Sequence, residues 1–200
     1  MSEDKKDDRA FDRLEKEVPL GVCLKCGGCV SSCPVNSIDV STCSPGLGGE
    51  CSECGVGYAN CPQVTPDEEI RERVFGGNDP STGIGHYKAA YSGQTEISSV
   101  KEAAQDGGVV SSLLISLLDM GYIDGAIAVD RDLEWRPYPK IATTKEEVIE
   151  CAGTKYVQTD VLSLLEEAVE ERSLEDLAVV GTPCQIKGLR ALMTGDNEIK

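Results

Sequence analysis

Cys23-Leu24-Lys25-Cys26-Gly27-Gly28-Cys29-Val30-Ser31-Ser32-Cys33-Pro34 is a C-x-x-C-x-x-C-x-x-x-C-P run, and the rest of the chain has to be read around it. Cys51-Ser52-Glu53-Cys54-Gly55-Val56-Gly57-Tyr58-Ala59-Asn60-Cys61-Pro62 repeats it, with Gly57 where the third cysteine belongs. Eight of the ten cysteines lie between residues 23 and 61, so the cysteine chemistry belongs to one short module. Thiolates at this spacing with a Cys-Pro ending are the bacterial-type iron–sulfur signature, in which the fourth cysteine ligates the other cluster. Paired zinc ribbons with four cysteine ligands space their thiolates more widely. A disulfide framework would come with a secretory leader, and Met1 to Glu17 is charged throughout with no apolar core.

The interleaved arrangement assigns Cys23, Cys26, Cys29 and Cys61 to one four-iron cluster. Cys33, Cys51 and Cys54 fall to the second, whose fourth ligand would be residue 57. Gly57 has no side chain to offer. Three explanations stand side by side: Cys43 swings in from its Gly/Pro-rich loop, the second cluster is a three-iron form, or it is absent. Apolar residues are sparse from 20 to 64, so the module is expected to fold mainly because metal holds it.

The formal charge of −16 excludes a nucleic-acid partner, whose phosphates need a basic face. It marks a well-solvated surface, with a salty cytoplasm as an alternative source. No apolar run approaches the roughly 20 residues of a membrane span, the longest being 109–118. A cytoplasmic chain follows, with peripheral attachment to a membrane complex left open.

Residues 1–19 read as a charged lead-in, with a helix around 9–18 and the character of a frayed terminus. Residues 20–64 are the cysteine module. Residues 65–86 are a helix with Thr65 as N-cap and Pro66 at N1, then a Gly-rich linker ending at the lone His86. Residues 87–200 turn to an α/β pattern. Helices are expected at 96–105, 109–118 (stopped by Gly121), 145–151, 160–172 with Asp160 as N-cap, and 183–193. Strands are expected at 122–130, 140–143 and 177–181. Alternating strands and helices predict a largely parallel sheet. The fold class is thus α+β, a small ferredoxin-like iron–sulfur module before an incomplete α/β domain. The chain stops at Ile199-Lys200 with no closing element, as expected for the N-terminal part of a longer protein.

Three glycine-containing turns precede or follow these elements: Gln105-Asp106-Gly107-Gly108, Gly153-Thr154-Lys155 and Gly181-Thr182-Pro183-Cys184. Each taken alone reads equally as a plain turn. Together, residues 104–129, 152–156 and 181–190 resemble the beta subunit of coenzyme F420-reducing hydrogenase and its relatives. Dehydrogenases of the reduced deazaflavin, formate dehydrogenase beta subunits and deazaflavin-dependent sulfite reductases share that domain. The resemblance implies FAD held near Gln105, Asp106, Gly107, Gly108, Thr154, Lys155, Thr182 and Pro183. It also implies coenzyme F420 as hydride donor or acceptor, and Cys184 as ligand of a further four-iron cluster whose other ligands lie beyond Lys200. The function expected is an iron–sulfur flavoprotein oxidoreductase subunit working with other subunits of an electron-transfer complex. Its rival is a ferredoxin-like module whose α/β domain only docks and holds no flavin.

Overall fold

The computed structural model describes residues 10–42, 44–76 and 85–194. In chain order the helices are α1 (Ala10–Glu17), α2 (Gly28–Ser31), α3 (Val56–Ala59), α4 (Asp67–Phe75), α5 (Ser98–Ala103), α6 (Val109–Asp119), α7 (Lys145–Glu150) and α8 (Pro183–Thr194). The strands are β1 (Ile38–Asp39), β2 (Gly46–Leu47), β3 (Gly125–Arg131), β4 (Pro137–Ala142) and β5 (Leu177–Val179). A mixed α+β architecture with small sheets results. None of the helices among the described residues is long and apolar enough to cross a membrane. The chain divides into two units, residues 1–77 with 182–200, and residues 78–181.

The first unit is built on the cysteine module. Phe11, Leu14 and Val18 recur at i, i+3 and i+7, and all three are buried in a core that includes Cys29, Cys33, Cys61, Ile38 and Val40. From residue 10 on, the lead-in is therefore not a frayed end. Its helix supplies the apolar face that residues 20–64 lack. Arg13 fastens it, with its guanidinium 4.3 Å above the Tyr58 ring and donating to the Tyr58 hydroxyl at 3.0 Å. That hydroxyl in turn donates to Glu17 at 2.6 Å. Thr65 does not cap α4. Pro66 holds the N-cap position, and Thr65 Oγ1 donates to the carbonyl of Cys61 at 3.1 Å. Helix α8, expected within the 87–200 domain, packs here against α2 and α4. Lys187 pairs with Asp67 at 2.5 Å, and Arg190 lies over Phe75.

The second unit contains a three-stranded sheet in the order β4-β3-β5. Strands β3 and β5 are parallel, pairing Gly125 with Leu177, but β3 and β4 are antiparallel, pairing Ala126 with Ala142 and Arg131 with Pro137. The largely parallel sheet expected from the sequence is therefore corrected. Only residues 132–136 join β3 to β4, too few for a parallel crossover but sufficient for a hairpin. Asp132 organises that loop by accepting the N–H groups of Glu134 and Arg136 on Oδ1. Ala126 and Ala142 share the sheet face packed by Val100, Leu114, Ile115 and Val148. The segment expected as one amphipathic helix behind Asp160 is a short 3-10 turn (Val161–Leu164) followed by a π-helical turn (Glu167–Glu171). Asp160 makes no side-chain cap; its carbonyl accepts the Ser163 hydroxyl at 2.7 Å instead. The 3-10 turn lies against β3 and β4. Thr144 caps α7 in a reciprocal box with Glu147.

Candidate metal centres

The two cysteine runs fold alike, residue by residue. Lys25 and Glu53 both take a positive φ, 48° and 56°, which turns each backbone N–H onto the sulfur two residues back. Those bonds are Lys25 N–H to Cys23 Sγ at 3.4 Å and Glu53 N–H to Cys51 Sγ at 3.3 Å. Gly27 and Gly55 are left-handed, at φ 87° and 77°, and each opens a one-turn helix, α2 or α3. Cys29 and Gly57 are the second residues of those helices. Ser32 and Asn60 close them, directly before Cys33 and Cys61.

Folding the repeat on itself gathers the thiols into two groups. Cys23, Cys26, Cys29 and Cys61 line one cavity, with Leu14, Val18 and Val40 as apolar wall. Cys33, Cys51 and Cys54 line another with Gly57, backed by Phe11, Leu14 and Ile38. Each is a small hollow of about 20 Å³, open to solvent at its mouth. No three His, Cys, Asp or Glu side chains among the described residues converge as a single ion would require. The thiols ring space instead of meeting at a point.

Electrostatics distinguish the two groups. Burial pushes the Cys26 thiol up to about 11, with Cys61 and Cys23 adding to the rise. Cys29 is raised further for the same reason, with Cys26, Cys61 and Cys23 all contributing. Burial also raises Cys61, opposed by the N–H groups of Gln63 and Val64 and by the Lys187 ammonium. Ionisation of Cys26, Cys29 and Cys61 is therefore costly unless a cationic partner joins them. Burial pushes Cys33 up too, but hydrogen bonds from the Ser37 hydroxyl and N–H outweigh it and hold this thiol below its ordinary value.

Buried side-chain atoms without a partner occur at Ser32 Oγ and at both amide atoms of Asn60, which is 1% exposed. Buried polar groups are normally paired. These two stand at equivalent positions of the repeat, each next to a cysteine. Neither residue lines a thiol cavity.

The remaining expected residues fall in several places. Cys43 lies outside the described residues. Cys184 sits in the first turn of α8, its sulfur 2.9 Å from the Thr182 hydroxyl, and Thr182 and Pro183 belong with it to the first unit. In the second unit, Gln105 and Thr154 meet: Gln105 Oε1 accepts the Thr154 N–H at 3.1 Å, while its Nε2 donates to the Tyr156 hydroxyl at 2.9 Å. Lys155 turns its ammonium to the carbonyls of Cys151 and Ala152, at 2.7 and 2.9 Å, closing the C-terminal end of α7. Asp106 is exposed. Gly107 is required by packing, since a Cβ there would lie 2.8 Å from the carbonyl oxygen of Gly93. Gly108 is left-handed at φ 68°, and a Cβ there would meet Thr95 at 2.8 Å. Sequence reasoning missed Phe11, Leu14 and Ile38 as walls of the thiol cavities. The i, i+3, i+7 spacing of Phe11, Leu14 and Val18 was the signal available for α1.

Residues 90–166 match the family described as coenzyme F420 hydrogenase/dehydrogenase, beta subunit N-term. The coenzyme F420 hydrogenase subunit beta of Methanococcus voltae is 41% identical over 111 residues, covering 55% of this chain and 40% of that protein. The coenzyme F420-dependent sulfite reductase of Methanocaldococcus jannaschii is 36% identical over 180 residues, covering 90% of this chain and 26% of its own length. A chain of the F420-reducing hydrogenase complex from Methanosarcina barkeri is 29% identical with a TM-score of 0.49, covering 55% of this chain and 41% of that one. The match to this chain thus takes in well under two thirds of each of these relatives.

Proposed function

Because the chain belongs to the coenzyme F420 hydrogenase/dehydrogenase beta subunit family through residues 90–166, we propose that it carries electrons between coenzyme F420 and iron–sulfur clusters. Cys23, Cys26, Cys29 and Cys61 would hold a four-iron cluster, and Cys33, Cys51 and Cys54 a second one. The observation that carries this reading is the sorting of seven thiols into two cavities along the interleaved assignment. Bound clusters would supply one-electron redox chemistry. The chain's own part is to wall them off: α1 lays Phe11 and Leu14 over the thiols, and the N–H groups of Lys25, Glu53 and Ser37 donate to sulfur. Donors of that kind favour the charged thiolate and raise the cluster's reduction potential.

FAD in the second unit completes the reading, as the group that exchanges hydride with F420 and single electrons with the clusters. It rests on family membership. The residues assigned to it already have protein partners: Gln105 with Thr154 and Tyr156, Lys155 with the end of α7, Gly107 with the backbone at Gly93. Those same contacts favour the second reading, an electron-transfer module whose 78–181 unit docks to partner subunits without flavin.

Reconstitution of the chain with iron, sulfide and FAD, followed by anaerobic addition of reduced F420, separates the two. Retained flavin absorbance and bleaching of flavin and clusters by reduced F420 support the first reading. Clusters that form and reduce with dithionite, in a chain that neither retains flavin nor responds to reduced F420, establish the second. Failure of any cluster to form overturns both.

A further inference from the structure

We infer that the second cavity, ringed by Cys33, Cys51 and Cys54, holds a three-iron cluster, because the described residues that line it offer no fourth thiolate where Gly57 stands. The inference rests on the iron–sulfur reading above and deepens it. The repeat geometry makes the comparison direct: Gly57 occupies in α3 the place that Cys29 occupies in α2, behind matching left-handed glycines. A Cβ built on Gly57 would lie 2.8 Å from Ile38 Cδ1 and 3.5 Å from Cys29 Cβ. Ile38 is buried and belongs to the core formed with Phe11 and Leu14. A side chain at 57 would displace only this methyl group, the movable end of Ile38; what the position lacks is the sulfur itself.

Iron in such clusters is tetrahedral in sulfur, so each iron needs a terminal ligand besides its sulfides. Three corners have one each in Cys33, Cys51 and Cys54. At the fourth, Ile38, Phe11 and Leu14 present only carbon, and the nearby Tyr58 hydroxyl is committed to Arg13 and Glu17. Water is a poor substitute against an apolar wall. Among the described residues of the lining no fourth sulfur offers an iron there a terminal ligand, and it is the one that the site does not keep. Ser52 is the remaining polar side chain of the cavity lining, and Cys43 the remaining cysteine of the module; substitution tests each of them.

The test is electron paramagnetic resonance and Mössbauer spectroscopy, with iron and sulfide analysis, on the anaerobically reconstituted full chain. The expected result is about seven irons per chain and, in the oxidised protein, the S = 1/2 signal of a three-iron cluster at about one spin per chain. Cys43→Ser and Ser52→Ala are expected to leave that signal unchanged. Gly57→Cys combined with Ile38→Val, which removes that Cδ1, is expected to abolish it and raise the iron to about eight. A wild-type protein that lacks the oxidised three-iron signal overturns the inference. So does a loss of iron in Cys43→Ser. Both results leave the four-thiol site standing, provided a reduced four-iron signal is seen. Absence of every cluster signal, oxidised and reduced, overturns the underlying reading instead. If the double variant does not fold, the wild-type spectrum alone decides.

Discussion

Leu14→Ala tests the role of the first helix most sharply. Leu14 is 1% exposed, sits between buried Phe11 and Val18, and contributes to the walls of both thiol cavities. Truncating a buried leucine removes its transfer free energy and leaves a void, at about 3 kcal/mol for a site that does not collapse. With a urea dependence of about 2 kcal/mol per molar, the unfolding midpoint should fall by about 1.5 M. Glu15→Ala, one residue on and exposed, should move it by less than about 0.3 M, as surface changes rarely exceed ~0.5 kcal/mol. The assay is urea unfolding of the anaerobically reconstituted chain, followed in parallel by far-ultraviolet circular dichroism and by visible cluster absorbance. Leu14→Ala should also speed the bleaching of both chromophores in air, because one side chain shields both cavities. Equal midpoints for Leu14→Ala and Glu15→Ala would mean that the lead-in helix does not cover the module, and the account of its core would fail.

Thr144→Ala should cost about 1 kcal/mol in thermal melts through loss of the α7 cap. The Thr143 N–H beside Glu147 holds that carboxyl below its ordinary range, outweighing burial, so its contribution is present above the unfolded value of about 4.3 and is lost as pH falls through the folded one. Glu147→Gln should flatten that part of the acid dependence between about pH 5 and 3, and an unchanged acid slope would refute the box. Lys155→Met should destabilise flavin-free protein by about 1–2 kcal/mol, since two carbonyls at the end of α7 lose their ammonium; an unchanged melt without flavin would show that the lysine has no structural part. Gly107→Ala should cost about 1–3 kcal/mol because its methyl meets a backbone oxygen, whereas Gly121→Ala, left-handed but in open space, should cost about 1 kcal/mol. Denaturant titration of the pair checks the order.

Much of the second unit was legible because its signals are local. The Thr144-x-x-Glu147 box, the stop at Gly121 and the buried run at 125–130 each declare an element within a few residues. Sheet direction was not legible from alternation alone. Residues 132–136 held the answer, since a loop that short permits only a hairpin, although the alternation of strands and helices around it points to parallel pairing. The segment after Asp160 shows another limit. Its apolar residues suit a helix, but packed beside β3 and β4 the backbone tightens to a 3-10 turn and then widens to a π turn, which apolar spacing does not record.

The sequence by itself determined how the thiols of this protein are grouped. Cys-x-x-Cys spacing is a covalent constraint, so the two groups of thiols and the gap at Gly57 follow from counting residues. Tertiary structure decided what surrounds those thiols. That Phe11, Leu14 and Ile38 wall the cavities and that α8 joins the first unit are contacts between residues far apart along the chain. Burial of apolar surface drives such contacts without direction, and no local spacing records them. The cysteines name their groups in advance; only packing says what walls them.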